Sequence, residues 1–332
     1  MDRFFEFNEI VANENLRDNM FMPIRIKLKV SKLKIGYIVT AAIGMYLLIS
    51  QVGGLSGSLN QFKSSWHIFD VLTLIFITIS YLLSSLTYYF IALKPIRYFR
   101  TVTVEFGINT INRLLPAGIG AIAGNYTYLT RSNHTKAEAG AVVAANSVIG
   151  VLANLLLLGV LVIYFPVNNF RFKFSSSILL IITGLIIIAL VIILLSASKL
   201  RKKLARNLKL VLKHLASYRS RKIKLSYGLL CQIGLTLANV LALSFSLRAV
   251  HGYLPIGSLM LAYSFAVWLG AVIPAPGGVG SVDAGLVTGL LVFRVDVTQA
   301  IATVLIFRLI SFWLPFIAGV IPLIWSYRHG YL

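Results

Sequence analysis

The chain has 332 residues, 58% of them hydrophobic and only 12% charged, with a mean hydropathy of +0.85. Soluble domains carry about 25% charged residues, so this composition excludes an ordinary globular domain and indicates an all-α polytopic membrane protein. The net charge of +21 does not mark a nucleic-acid binder: the 31 Lys and Arg lie between apolar segments, as in membrane topology and contact with anionic lipid.

Residues 1–34 form a mixed-charge N-terminal segment ending in Arg25, Lys27, Lys29, Lys32 and Lys34, with Phe4, Phe7, Ile10 and Val11 as the apolar residues of a weak interfacial helix. The first apolar run begins near Ile35. It is read as a retained span rather than a cleaved leader. From there to residue 332 the pattern predicts one integral membrane domain. Full spans are expected at about 35–53, 70–93, 139–164, 175–197, 225–247 and 299–325, each near or above the ~18 apolar residues a crossing needs. Two further apolar regions, about 101–130 and 256–293, are interrupted by Pro and Gly, and each is read as a hairpin of two short helices. Between spans, segment 198–224 holds eleven Lys/Arg. Leu200, Leu204, Leu208, Val211, Leu212 and Leu215 recur there at helical spacing. That pattern fits a basic amphipathic helix on the inner leaflet, or a solvated loop that only sets topology.

Charge sets the orientation. With the N-terminus in the cytoplasm, 24 Lys/Arg fall on the cytoplasmic side. Five fall opposite: Lys63, Arg171, Lys173, Arg248 and Arg294. Arg113 and Arg308 lie inside apolar segments. Both termini are therefore expected in the cytoplasm, at the cell membrane. The parity is the same whether the interrupted regions cross fully or dip and return.

The two interruptions resemble each other. LLPAGIGAIAGNYTYL (114–129) places Pro116, Gly118 and Gly120 between short apolar segments; IPAPGGVGSVDAGL (273–286) does so with Pro274, Pro276, Gly277, Gly278 and Gly280. Aligning Pro116 with Pro274 pairs Asn125 with Asp283 and, after a four-residue length difference, Asn146 with Arg308. Pseudo-repeats at about 70–164 and 225–325 follow, inverted because one hairpin enters from each side. They would be joined through the span at 175–197 and the basic segment. Transporters use such inverted repeats to bring broken helices together near the bilayer midplane. The bland alternative is a pair of kinked helices.

A broken helix frees backbone N–H groups that only protein or a water-filled cavity can satisfy. Glycines expose those groups, and the start of a half-helix adds positive potential suited to phosphate. Glu105, Arg113, Asp283 and Arg308 are the ionisable residues in or near apolar segments; each costs about 2.5–3.5 kcal/mol at mid-bilayer on insertion scales. Two readings stand for Asp283: it engages a cationic headgroup, or it pairs with Arg308 to hold the second hairpin. The candidate headgroup-binding set is Arg113, Asn125, Gly277, Gly278, Gly280, Asp283 and Arg308, with the helix breaks at Pro116, Gly118, Gly120, Pro274 and Pro276.

The chain has no P-loop, no H-E-x-x-H and no G-x-S-x-G. Its five histidines lie in loops or at span ends without metal-like spacing. Cys231 is the single cysteine, which excludes an internal disulfide. No catalytic residue, cofactor or metal is expected.

Residues 274–286 (PAPGGVGSVDAGL) and 299–323 (QAIATVLIFRLISFWLPFIAGVIPL) resemble the membrane region of the lysylphosphatidylglycerol synthase/flippase family. The likeness rests on Pro276-Gly277-Gly278-Val279-Gly280, Asp283, Ala300, Ala302, Arg308 and Phe312-Trp313. The family usually has Glu at Asp283, and a Gly-Glu pair with a following Arg where this chain has Gly120-Ala121 and then Gly124-Asn125. Full-length relatives continue into a soluble aminoacyl-transferase domain that this sequence does not show. The resemblance implies a flippase-like translocase of a phospholipid or lipid-linked headgroup, including an aminoacylated phosphatidylglycerol. Anionic membrane lipids and a separate lipid synthase are the expected partners. A lysyltransferase-type membrane enzyme and a secondary transporter of a small polar solute are the alternatives.

Overall fold

The computed structural model describes residues 67–115, 118–164, 218, 221–273, 275 and 277–332, and no strand occurs among them. The expected spans at 35–53 and 175–197, the N-terminal segment, nearly all of the basic amphipathic segment, and Pro116, Pro274 and Pro276 lie outside the described residues.

Four long helices carry the fold among the described residues. They are α1 (His67–Ile91), α4 (Lys136–Tyr164), α5 (Lys222–Ala249) and the run Val297–Arg328, which comprises α8 (Val297–Arg308), a π-helical turn (Leu309–Trp313), α9 (Leu314–Ala318) and α10 (Val320–Arg328). All are long and apolar enough to cross a membrane, and they coincide with four of the six expected spans. Their ends are set by polar residues. Thr135 and Glu138 form a reciprocal capping box at the start of α4, with N–H···O distances of 2.7 and 3.3 Å. The Asp296 carboxylate accepts from Thr298 N–H at 2.9 Å to start α8. Outward faces of α1 and α4 expose Val71, Leu74, Ile75, Val148, Val151, Leu152 and Leu155. Such apolar exposure is stable only against a non-aqueous surround or a partner.

The two interrupted regions are pairs of shorter helices: α2 (Tyr98–Leu114) with α3 (Ile119–Arg131), and α6 (Ile256–Val272) with α7 (Ser281–Val292). Helix α3 begins after Gly118 at φ 71°, so Gly120 lies in its first turn rather than in the break. Its first turn is capped from α2, since Asn112 Oδ1 accepts from Ala121 N–H at 3.0 Å. Helix α7 begins after Gly280, φ 89°, whose N–H donates to the Asp283 carboxylate at 2.9 Å.

Close packing within each pair depends on small residues, as is usual where helices meet without a hydrophobic driving force. A methyl group at Gly289 would lie 2.8 Å from Ala262 Cα, and one at Gly285 only 2.6 Å from Ala266 Cα. Helix α1 packs along α5, the most extensive helix contact. The Phe76 and Phe245 rings stack there at 5.4 Å, and Thr73 Oγ1 meets Ser246 Oγ at 3.4 Å. Further contacts join α1 to α2, α3 to α4 and α4 to α5, while α5 meets α6 and α8, and α7 meets α8. Helices α9 and α10 pack on α2.

The helix ends repeat. Ile91 and Ala249 end α1 and α5; Tyr98 and Ile256 start α2 and α6; Leu114 and Val272 end them. Each pair stands at the same separation as Pro116 and Pro274.

Candidate functional site

The tips of both broken pairs open on one cavity of about 590 Å³. Helix α2 contributes Asn109, Asn112 and Arg113, and its break adds Leu115 and Gly118. From the other pair come Tyr263, Val267, Gly270 and Ala271 of α6, with Ala275, Gly277 and Gly278 of the break. Phe307, Arg308, Ser311 and Phe312 close a third side. Gly277 shows how near the tips approach: a methyl group there would meet the Phe312 ring and lie 2.9 Å from the Arg113 carbonyl oxygen. At φ +60° the backbone also favours glycine.

Two guanidinium groups dominate the electrostatics. Arg308 Nε pairs with Asp283 Oδ1, and its Nη2 donates to the Gly278 carbonyl at 3.2 Å. Both partners are mostly buried, with side chains 15% and 10% exposed. Arg113 has no carboxylate partner among the described residues. Its Nη2 donates to the Tyr81 hydroxyl and to the Ser311 carbonyl, the latter at 2.8 Å. Its Nη1 is buried and makes no hydrogen bond among the described residues. Both guanidiniums stand over the Phe312 ring, at 5.2 and 5.7 Å from its centroid. The aromatic π-cloud stabilises cations held this close together. Two cations against one carboxylate leave the cavity suited to an anion, with the free Arg113 donor as the group an anion would satisfy.

Of the residues singled out in sequence, Arg113, Gly277, Gly278 and Arg308 line the cavity, and so does Gly118. Asp283 stands behind Arg308 as its ion-pair partner, the second of the two readings of that acid. The Gly278 N–H donates to Ala275 O at 3.0 Å and the Gly280 N–H to Asp283, so neither points to a ligand. Asn125 is absent from the lining; it is 1% exposed, with Glu105 as a polar neighbour. Sequence reasoning missed Tyr81, Asn109, Asn112 and Tyr263 as companions of the arginines. Asn109, Asn112 and Arg113 share one face of α2 at helical spacing, and that periodicity was the available signal.

A family model described as "Lysylphosphatidylglycerol synthase TM region" matches residues 34–319. Comparison with curated proteins finds no match.

Proposed function

Since the chain belongs to the lysylphosphatidylglycerol synthase TM-region family, we propose that it is a translocase that carries a phospholipid or lipid-linked headgroup across the cytoplasmic membrane. The observation that carries this reading is the shared cavity, in which two broken-helix tips surround Arg113 and Arg308 over one aromatic ring.

In this mechanism the phosphate enters beside Phe312 and takes hydrogen bonds from the unused Nη1 of Arg113 and from Asn109 or Asn112. Arg308 supplies the second positive charge. As phosphate draws on Arg308, the Asp283 carboxylate becomes free to receive an amine on the same headgroup. The cavity also includes Leu115 and Val267, both exposed. That apolar rim favours a ligand with acyl chains over a small polar solute.

Access would alternate by rocking one half against the other. Supporting this are the repeated helix ends and the matched contacts: α1 to α2 corresponds to α5 to α6, and α3 to α4 corresponds to α7 to α8. The cavity offers the same correspondence, since Asn109, Asn112 and Arg113 line it together with Val267, Gly270 and Ala271 at the Pro116–Pro274 separation. The charge distribution of the loops supports cytoplasmic termini.

The test is reconstitution in liposomes containing labelled aminoacylated and unmodified phosphatidylglycerol, with leaflet accessibility followed over time. Wild-type protein is expected to speed exchange, and Arg113→Ala to abolish the gain. Exchange no faster than in empty liposomes for every lipid would remove the translocase reading. Formation of new aminoacylated lipid when charged tRNA is supplied would replace it with the transferase.

A further inference from the structure

Glu105 is a buried carboxyl that headgroup binding leaves unused. It sits on α2, 3% exposed, and no Lys or Arg ion-pairs with it among the described residues. Its Oε2 accepts from Ser84 Oγ of α1 at 3.2 Å. Its Oε1 is buried and accepts no hydrogen bond of good geometry among the described residues. Asn125 of α3 is the other polar neighbour, and that side chain's Oδ1 is likewise buried without a donor. The titratable groups close enough to feel the carboxyl's charge are Tyr81 and Tyr88 from α1 and Tyr128 from α3. Helix α9 carries no ionisable residue, and α10 carries only Tyr327 and Arg328. On α2 itself, Arg100 stands over the Tyr331 ring, and Arg113 is engaged by Tyr81 and Ser311.

An ionised carboxylate with only the Ser84 hydroxyl and the Asn125 amide beside it, and no cation among the described residues, is the costly state of such a site. A proton on Oε1 removes the charge and turns an orphaned acceptor into a donor. The helix also carries this residue toward the cavity. Glu105, Asn109, Asn112 and Arg113 follow one face of α2, and Asn109 Nδ2 donates to the Glu105 backbone carbonyl at 2.8 Å. The last three of these residues line the cavity. Away from it, Tyr88 accepts from Asn146 Nδ2 at 3.1 Å, and Asn146 Oδ1 accepts from Gln232 Nε2 at 3.0 Å. A polar seam therefore runs from the cavity past Glu105 into the α1–α4–α5 contact, through an otherwise apolar interior.

We propose that Glu105 binds and releases a proton as the cavity changes the side to which it opens, coupling headgroup movement to the proton gradient. This rests on the translocase reading and adds its energy source. One proton enters at Oε1 from the side to which the cavity is open, and the same proton leaves to the other side. No covalent bond of protein or lipid changes. Glu105→Gln keeps the shape of the protonated carboxyl and cannot release a proton.

Two measurements on the whole chain test this. Infrared difference spectra between acidic and alkaline buffer should show a protonated-carboxyl band in wild-type protein that is lost in Glu105→Gln. In the liposome assay with aminoacylated phosphatidylglycerol, an imposed pH gradient should accelerate exchange by wild-type protein, and Glu105→Gln should lose that acceleration while Glu105→Asp keeps part of it. Identical spectra for wild type and Glu105→Gln overturn the proposal, as does exchange by wild type that ignores the gradient. Wild-type protein that moves no lipid but shows the band overturns the translocase reading and leaves the proton site supported.

Discussion

The two broken-helix regions share a plan and differ in how they treat charge. In the second, Asp283 is tied to Arg308 and to the Gly280 N–H, so the acid, the cation and the start of α7 form one neutral unit. In the first, Asn125 and Asn146 occupy the aligned positions, and neither is charged. Among the described residues Arg113 has no acid and Glu105 has no cation, and the two are separated by two helical turns. Tyr263 stands where the alignment places the counterpart of Glu105, beside Arg308 rather than beside a carboxyl. The second half is therefore internally compensated, and the first supplies a cation and a carboxyl that are not paired with each other. A cavity between two such halves acquires a net cation from one and a fixed frame from the other.

Removing the second half's compensation should have the largest effect. Asp283→Ala leaves Arg308 buried without its partner, and about 3–5 kcal/mol of stability should be lost. Asn125→Ala in the first half should cost less, about 1–3 kcal/mol. Unfolding midpoints in detergent measure both, and equal losses would break the comparison.

The glycine tips come next. Gly277→Ala combines a left-handed backbone with a clash against Phe312 and the Arg113 carbonyl, so about 2–4 kcal/mol is expected. Gly118, at φ +71°, has nothing within 4 Å of the added methyl, and Gly118→Ala should cost only the backbone term of about 1–2 kcal/mol. Smaller again is Phe312→Leu, which removes the ring beneath both guanidiniums. Each cation–π contact contributes about 0.5–2 kcal/mol, and the assay for headgroup exchange should register a weaker apparent affinity, about tenfold.

The smallest effect concerns the loop after the first pair. Lys94 N–H donates to His134 Nε2 at 3.0 Å, so the proton sits on Nδ1, which donates to Ser132 O at 3.0 Å. Burial pushes this imidazole below its ordinary value of 6.5. Its contribution is complete above that value and is lost as pH falls through it toward the lower folded value. Stability followed against pH should show this acid-side loss in wild type, and His134→Gln should flatten it.

The spans and the breaks were legible in sequence because both are local properties. A run of apolar residues sets a span, and clustered Gly and Pro end a helix whatever lies nearby. The 299–325 expectation against the observed Val297–Arg328 helix, and 256–293 against α6 and α7, show how much such signals define. Partnership is not local. Tyr81 meets Arg113, and Ser84 meets Glu105, only because α1 folds back along α2. The same alignment that paired Asn125 with Asp283 could not show that Asn125 sits beside a buried glutamate instead of the cavity. Nor could composition reveal that the N–H groups of Gly278 and Gly280 are already engaged inside their own turn.

The π turn at Leu309–Trp313, closed by Leu314 N–H on the Leu309 carbonyl, sets the helical phase of everything beyond it. One additional residue in a turn rotates the following helix by about 100° relative to the preceding one. That rotation lets a single continuous span show Arg308 to α7 and still bring Pro322 and Leu323 against Gly107 of α2, where an added methyl would lie 2.8 Å from the Leu323 backbone. The last span is thus two blades set at a fixed angle. Deleting one residue from the turn would leave Arg308 facing α7 and unmesh the far blade from α2.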